Sequence, residues 1–508
     1  MCKYKIRGVV ISQSNVCASH KEPVISGCNT EVDATYRFGI RYDSKSLSEI
    51  VQQPPVARIK PEYIDNELAD FLTLNVNENI VANQEVTKTN SSLQPVLNSS
   101  FQHVQKKLQE GQYDFHRANQ VIKELATVCP TENHPEEMKQ LTGSTIIQRK
   151  LKLDMKSLRG KTYLAPLTTL GNLPFRRLCV GLGADIACCE KAETVGLLEG
   201  SQKEWSLLKR HTCEKIFGVQ LAAAYPETMT RATQMVVDEC EVDFIDVNLA
   251  CPMDLIKEEG PGCVLANQSE PLLDVLKCMN NVAKDVSVTM KMRYGMKTGD
   301  RTAHKVMGRV AQMGGSQLIA LHPRSKEQRY TKTAEWDYVS ECAESIDGKC
   351  PLWICGDVFS YDDYYSRLEN YAIDGVMIGR GALIKPWIFT EIAEKRHWDI
   401  TASERLDIVK KFVDYGLENW GSDHEGVEKT RTYLLEWLSF MCRYIPVGLL
   451  EVLPQKMNER PPNYHGRSDL ETLLSSTASS SWVKISEIFL GPTPDGFHFV
   501  PKHKTNAY

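Results

Sequence analysis

The stretch Asp243-Phe244-Ile245-Asp246-Val247-Asn248-Leu249-Ala250-Cys251-Pro252 changes character halfway along its length. Its first half combines β-branched and apolar residues with two acidic ones, which predicts a buried strand. Its second half brings an amide, a thiol and a proline, and a proline ends a strand because it has no N–H to donate. We therefore expect Asn248 and Cys251 at the carboxyl end of a strand. A single cysteine is more often a small buried apolar residue than a reactive one, so the surrounding sequence has to decide.

Strand-like and helical stretches alternate regularly around this segment, between residues 161 and about 400. The predicted strands are Thr162–Ala165, Ile186–Cys189, Ile216–Leu221, Phe244–Val247, Val286–Met292, Leu318–Leu321, Leu352–Cys355 and Gly375–Ile378. Eight strands alternating with helices over roughly 240 residues favour an α/β fold, the (β/α)8 TIM barrel. A doubly wound sheet is the alternative, but its first strand should lead into a glycine-rich turn. The turn here, residues 166–171, has a single glycine.

The flanking regions suggest four segments in all. We expect a polar N-terminal extension (1–94), disordered or a degenerate zinc-finger region, a helical linker (95–150) in which Gly111 interrupts the helix, the barrel (151–404), and an all-helical domain with a basic tail (405–508). The spacing of the cysteines and the histidine near the N-terminus matches no common zinc site, so no metal site is predicted.

Composition narrows the class of protein. The 508-residue chain has a formal net charge of −5, so no overall basic field indicates nucleic-acid binding. Its 16 cysteines include no Cys-x-x-Cys pair, and no apolar run is long enough for a secretory signal or a membrane span. We expect a protein with reduced thiols in the cytoplasm or also the nucleus, with no contact to a membrane.

Polar and glycine residues gather where the predicted strands end, which is where (β/α)8 enzymes carry their chemistry. In chain order they are Pro166-Leu167-Thr168, Gln220, Asn248 with Cys251, Lys291 with Arg293, His322 with Arg324, Gly356-Asp357 and Gly379-Arg380-Gly381. The last two groups follow strands seven and eight, whose loops commonly hold phosphate in this fold. A bound anion would stabilise Lys291, since an unpaired cation in a barrel mouth is costly. Two structural interpretations stay open: an ion-pair network for Lys291 and Arg293, and a hydrogen-bonded core residue for His322.

At these residues the sequence resembles the tRNA-dihydrouridine synthases, flavoenzymes that reduce uridine in tRNA. The matching stretches are Ala165–Thr169, Asn172–Arg177, Asp246–Pro252, His322–Ser325 and Gln328–Tyr330, with the strand-seven and strand-eight motifs. Within the family, Lys385–Ile392, Gly426–Arg431, Leu434–Ser439 and Pro501–Tyr508 resemble the eukaryotic branch that acts on the variable-loop uridine at position 47. The resemblance covers about residues 95 to 508.

The resemblance implies a cofactor, a reductant and a catalytic residue. It implies that FMN binds at Pro166, Leu167, Thr168, Gln220, Lys291, His322, Cys355, Gly356, Asp357, Gly379 and Arg380. It further implies that FMN is reduced by NADPH and delivers hydride to C6 of uracil, while Cys251 protonates C5. The uridine would leave its base stack to reach the flavin.

The resemblance also implies an RNA partner, tRNA or another RNA, held by the C-terminal helices through shape and phosphate contacts. We expect phosphate contacts at the pairs Lys429 with Arg431 and Lys502 with Lys504. No protein partner is expected, so the chain should act as a monomer.

Three positions depart from the family pattern and keep other functions open. Ala250 stands where the family usually has glycine, Pro323 where it has glycine, and Cys355 where it has asparagine. One alternative is a barrel flavoprotein acting on a free pyrimidine, although a small substrate does not need the C-terminal helices. The other alternative is a tRNA-binding protein of this family with weak or no catalysis.

Overall fold

The computed structural model describes residues 3–6, 9–12, 96–128, 150–222, 225–250, 269–328, 330, 332–449 and 465–502. The chain divides into two compact units, Met1–Arg58 and Ile59–Tyr508. Within the first unit, Lys3–Ile6 and Val9–Ser12 pair as antiparallel strands. Most of the predicted polar extension, including the expected zinc-finger remnant, lies outside the described residues.

The second unit is built on a closed barrel of parallel strands. We label the barrel strands β1 Tyr163–Leu164, β2 Ile186–Cys188, β3 Ile216–Ala222, β4 Phe244–Leu249, β5 Ser287–Arg293, β6 Ile319–His322, β7 Leu352–Ile354 and β8 Gly375–Ile378. Each strand pairs in parallel with the next, and β8 pairs with β1, which closes the barrel. The short strand Ala192–Glu193 also pairs with the end of β3. The predicted (β/α)8 barrel is therefore confirmed, with strand ends shifted by one or two residues.

Large rings fill one end of the barrel interior. The rings of Tyr163 and Phe244 meet edge to face with centroids 6.0 Å apart, and those of Tyr163 and Trp353 with centroids 5.7 Å apart. Two glycines make room for them: a Cβ at Gly218 would lie 2.1 Å from the Phe244 ring, and one at Gly375 2.5 Å from the Trp353 ring. This layer of the barrel interior is therefore apolar and tightly packed.

Helices surround the barrel and follow it. Those up to residue 400 are Gln102–Gln109, His116–Val128, Leu173–Gly181, Thr194–Leu198, Gln202–Trp205, Pro226–Glu239, Ser269–Val282, Ala303–Met313, Val339–Ile346, Tyr361–Asn370, Arg380–Ile384 and Ile388–Glu394. The predicted break of the first helical stretch is confirmed, because Gly111 adopts a φ of +67° between the first two helices. Among the described residues, no helix is both long enough and apolar enough to cross a membrane.

The C-terminal region is helical, as predicted. Its helices are Ala402–Trp420, His424–Met441, Asp469–Leu474 and Ser479–Leu490. Among the contacts that join them to the barrel, the indole N–H of Trp437 donates to the Leu383 carbonyl at 3.0 Å, and Arg177 contacts Glu418 at 2.6 Å.

The expected phosphate contact of Arg431 is wrong, because this side chain is buried. Its guanidinium donates to Glu428, to the Ser486 hydroxyl at 3.0 Å, and to the carbonyls of Leu490 and Gly491. Arg431 therefore stabilises the packing of two helices, while its neighbour Lys429 is exposed. Of the other expected pair, Lys504 lies outside the described residues.

Candidate active site

The interior of the barrel carries a buried hydrogen-bonded chain across β3, β4 and β5. Gln220 donates to Asp246 at 2.8 Å and accepts from Asn248 at 2.6 Å, and Thr289 donates to Asp246 at 2.7 Å. Burial raises the pKa of Asp246, although the two hydrogen bonds and the charge of Lys291 act against that rise. Asp246 is thus an electrostatic neighbour of Lys291, which the sequence had suggested to be unpaired.

The position of Asn248 corrects the sequence analysis. Gln220 lies within its strand, as the predicted range Ile216–Leu221 implied, whereas Asn248 lies beyond the predicted strand end at Val247 but within β4, which continues to Leu249. The strand was predicted to end at Val247 because Asn248 is polar. In β4 the Asn248 amide is satisfied by the Gln220 side chain on the neighbouring strand, so the strand continues past it.

A cavity of about 550 Å³, including its open mouth, lies at the carboxyl ends of the barrel strands; we call it the strand-end pocket. Its lining is Ala165, Pro166, Leu167, Lys291, His322, Arg324, Tyr330, Cys355, Gly356, Asp357, Val358, Phe359, Met377, Gly379, Arg380 and Gly381. Nine of the eleven residues predicted to bind a cofactor are among them. Of the other two, Thr168 is exposed beside the pocket and Gln220 lies inside the barrel.

Asp357 joins two arginines at one side of the strand-end pocket. Both its oxygens accept from Arg324, at 2.7 and 2.5 Å, and one accepts from Arg380 at 3.1 Å. Burial raises the pKa of Asp357, but the two guanidinium groups hold it below its usual range. Burial and the charge of Arg324 lower the pKa of Arg380 to about 10. Two arginines share a single carboxylate, so this side of the pocket keeps a positive charge that favours an anion.

His322 is a neutral group at the centre of the pocket. Burial lowers the pKa of His322 well below its ordinary value, and the surrounding cations lower it further. Its ring stacks on that of Tyr330, with centroids 5.9 Å apart and planes inclined by 30°. The guanidinium carbon of Arg380 lies 4.1 Å from the centre of the same Tyr330 ring. A neutral imidazole can both donate and accept a hydrogen bond, as the edge of a heterocycle requires.

Arg293 joins the loops that follow β4 and β6. Its Nε donates to the carbonyl of Ala250 at 2.8 Å and its Nη1 to the carbonyl of Ser325 at 2.9 Å. The candidate proton donor Cys251 follows Ala250 in the chain but lies outside the described residues.

Two glycines, Gly379 and Gly381, follow β8, and only Gly381 stands where a side chain would clash. A Cβ there would lie 2.3 Å from the Val358 carbonyl oxygen, whereas one at Gly379 would lie 3.7 Å from its nearest neighbour, in Leu167. Gly381 therefore permits the close approach of the strand-seven and strand-eight loops.

Sequence reasoning did not assign Arg293, Arg324 or Tyr330 to the cofactor site. Arg293 belongs to β5, and Arg324 and Tyr330 belong to the loop after β6. The two arginines bind partners more than thirty residues away in the sequence, and Tyr330 acts through ring contacts. The available signals were the positions of Arg293 and Arg324 after predicted strands and, for Tyr330, the family-like stretch Gln328–Tyr330. Among the described residues, no group of acidic, histidine or cysteine side chains is arranged to hold a metal ion.

Residues 163–439 match the family model described as Dihydrouridine synthase (Dus). The chain is 50% identical over 395 residues to a "tRNA-dihydrouridine(47) synthase [NAD(P)(+)]-like" protein of Homo sapiens, covering 77% of this chain and 60% of that one. It is 54% identical over 350 residues to the Xenopus laevis protein of that name, covering 69% and 54%. It is 51% identical over 369 residues to a "tRNA-dihydrouridine(47) synthase [NAD(P)(+)]" of Coprinopsis cinerea, covering 71% and 54%.

The chain thus spans little more than half the length of these relatives. Among solved structures, histamine dehydrogenase from Rhizobium sp. 4-9 aligns with 50% of this chain and 49% of its own at 14% identity and a TM-score of 0.37. A structural likeness of that size adds nothing to the assignment. The family model covers more than half of the chain, including every barrel strand. The chain belongs to the dihydrouridine synthase family.

Proposed function

We propose that the chain is an FMN-dependent tRNA-dihydrouridine synthase that reduces the variable-loop uridine at position 47 with NADPH as electron donor. The observation that carries this proposal is the strand-end pocket, which combines excess positive charge with a neutral imidazole at the mouth of a closed barrel. The names of the relatives support the choice of tRNA, of position 47 and of a nicotinamide reductant.

The residues of the pocket fit FMN by their chemistry. Arg380 offers a charge-assisted donor to the phosphate at the loop that Gly381 keeps compact. Lys291 offers a buried ammonium group to an anionic or electron-rich ring edge, and neutral His322 a hydrogen bond. A pocket at this end of a barrel is the usual place for such a ligand. We also propose Thr168 and Gln220 as cofactor residues. Thr168 would act through the backbone of its loop, and Gln220 would act through Asn248, whose amide donates to it.

The proposed chemistry adds a hydride and a proton to the two adjacent carbons of the uracil double bond, C6 and C5. FMN held in the strand-end pocket and reduced by NADPH would supply the hydride for C6. The Cys251 thiol gives the proton to C5, which an ordinary thiol pKa permits near neutral pH. Arg293 fixes the carbonyl of the residue before that cysteine.

The proposal assigns tRNA binding to the helical region that follows the barrel, in a chain acting as a monomer in the cytoplasm or the nucleus. The exposed Lys429 lies one helical turn before Tyr433, whose ring stacks on Trp420 with centroids 4.6 Å apart. A cation beside stacked aromatic rings suits a phosphate and an unstacked base.

The test of the proposed function is conversion of tRNA by the purified chain supplied with FMN and NADPH. The substrate is a tRNA transcript with uridine at position 47, and the control transcript carries cytidine there. We expect one dihydrouridine per uridine-47 transcript and none in the control. A chain that binds tRNA and FMN without forming dihydrouridine would favour the alternative of a tRNA-binding protein without catalysis, for which the departures at Ala250 and Cys355 are the motive.

Substitution of the cysteine tests the division of tasks. Cys251→Ala should keep FMN and its reduction by NADPH, while product formation slows by about 10²–10⁴, the usual contribution of a general acid. Cys355→Ala, at a half-buried position in the pocket wall, should instead change FMN affinity. Normal product formation by Cys251→Ala would show that the proton comes from another group.

A further inference from the structure

The loop after β1 contains a residue in an unfavourable backbone conformation. Thr169 has a φ of +72°, in the left-handed region that β-branched residues rarely adopt. Such residues persist where the surrounding structure holds them, and they gather at functional sites. Thr169 belongs to a tight turn in which the N–H of Gly171 donates to the carbonyl of Leu167 at 2.8 Å.

The same turn forms part of the pocket wall. Pro166 and Leu167 both line the strand-end pocket, and the Leu167 side chain faces Gly379 across it. A Cβ at Gly171 would lie 2.4 Å from the Leu167 carbonyl oxygen, so the turn has little room to rearrange. The conformation of Thr169 therefore determines where two wall residues lie.

A carboxylate from the neighbouring strand end holds this conformation. Oε2 of Glu190, just after β2, accepts from the backbone N–H of Thr169 at 2.7 Å. Two further bonds fix the far end of the turn: Asn172 donates to the Thr169 carbonyl at 3.2 Å, and Arg176 to the Gly171 carbonyl at 2.9 Å. Glu190 is the one of these three residues that contacts the strained N–H itself.

The surroundings of Glu190 join three parts of the chain. Its charged neighbours are Arg176 on the first barrel helix, Glu204, and Lys502 near the C-terminus, and it raises the pKa of Tyr433 on the His424–Met441 helix. Burial raises the pKa of Glu190 to about 7, against the effects of Thr169 and the two cations. Both the neutral and the ionised carboxyl group can accept the Thr169 N–H.

We propose that Glu190 is a positioning residue which, through its hydrogen bond to the Thr169 N–H, holds the strand-one turn in the conformation that sets Pro166 and Leu167 against the cofactor. The inference rests on the proposed function, since it concerns the FMN of that proposal. It goes beyond that function because Glu190 itself does not line the pocket, and because the essential property of the side chain is an acceptor atom.

Two readouts test the role of Glu190, one of which needs no cofactor. The first is backbone hydrogen exchange over residues 163–172 in the FMN-free chain, and the second is the FMN dissociation constant from a titration of visible absorbance. Glu190→Ala should speed exchange and weaken FMN by about tenfold each, because the N–H loses its acceptor. At pH 5, below the pKa of Glu190, Glu190→Gln retains an acceptor oxygen and should stay within about twofold of the unsubstituted chain in both readouts.

A second substitution separates positioning from general stability. Glycine adopts a positive φ without strain, so Thr169→Gly should make the turn less dependent on Glu190. In the Thr169→Gly background, the effect of Glu190→Ala on the exchange rate and on the FMN dissociation constant should then fall from about tenfold to about threefold or less. The matched control is Glu199→Ala. Glu199 is an exposed glutamate directly after the Thr194–Leu198 helix, and its substitution should change neither readout. Should Glu190→Ala fail to fold, Glu190→Asp replaces it, since the shorter side chain withdraws the acceptor.

Three results would overturn the inference: unchanged exchange and FMN affinity in Glu190→Ala, an equal loss in Glu190→Gln, or the same loss with and without Thr169→Gly. Failure of the proposed function looks different. A chain that takes up no FMN would overturn that function, and the exchange measurement would still decide whether Glu190 holds the turn.

Discussion

Lys291 is buried, and its charge acts against the rise that burial causes in the pKa of Asp246. We expect Lys291→Met to weaken FMN by at least tenfold, because an anionic cofactor then loses a cation in a site of low dielectric. The same substitution should raise the pKa of Asp246 further, because the opposing charge is removed. A dissociation constant within twofold of the unsubstituted chain would contradict the role of Lys291.

His322 should not titrate in the physiological range. Its pKa is held well below the ordinary value by burial and by nearby cations, so its ring stays neutral as the pH falls from 8 through the ordinary histidine pKa of about 6.5. We expect the His322 ring signals in NMR spectra of the FMN-free chain to show no shift across that range.

Glu190 should make the stability of the chain depend on pH. Its pKa is about 7 in the folded chain and 4.5 for the ordinary side chain, so between these values the folded state holds a proton that the unfolded state releases. The free energy of unfolding must therefore fall as the pH rises from 4.5 to 7. Glu190→Gln should remove this fall and gain up to about 3 kcal/mol relative to the unsubstituted chain at high pH. Urea unfolding of the unsubstituted chain and of Glu190→Gln at pH 5 and pH 8 measures the difference between their free energies of unfolding. A difference of equal size at the two pH values would contradict the raised pKa of Glu190.

The strands and their order could be predicted from the sequence because each buried parallel strand is a short apolar run between turn residues. The ends of the strands could not, since a polar residue such as Asn248 continues a strand when its neighbour supplies a partner. The same limit applies to Arg431 and to the Arg324–Asp357–Arg380 group, whose contacts join residues distant in the sequence. The sequence did indicate which strand ends carry polar residues, because parallel strands bring their carboxyl ends together.

Arg293 connects three elements, β5 and the loops after β4 and β6. We expect Arg293→Met to lower the free energy of unfolding by about 2 kcal/mol, because two buried carbonyls lose a charged donor. The loss should also appear as faster hydrogen exchange at residues 246–250. Arg309→Met, at an exposed position of the Ala303–Met313 helix, is the control, and a loss as small as that of the control would contradict the connecting role.

At the scale of the whole molecule, the helical region and the barrel share a buried contact through Trp437. Its N–H is satisfied by the Leu383 carbonyl, and its ring lies 5.6 Å from that of Phe175 on the first barrel helix. Trp437→Phe should cost about 1 kcal/mol or more, from the unsatisfied carbonyl and the lost volume. Arg177→Gln, whose partner Glu418 is partly exposed, should cost less than 1 kcal/mol. Urea unfolding of both variants checks the order, and equal costs would contradict it.

The central claim is that electrons from a flavin in the strand-end pocket pass to a uridine of tRNA. The most direct measurement is anaerobic: the FMN-loaded chain is reduced with one equivalent of NADPH and mixed rapidly with a tRNA transcript carrying uridine at position 47, while flavin absorbance is followed. We predict that flavin absorbance returns in a single turnover, with one dihydrouridine formed per flavin reoxidised, and that the transcript with cytidine at position 47 leaves the flavin reduced. Reoxidation at the same rate with both transcripts, or without formation of dihydrouridine, would contradict the claim.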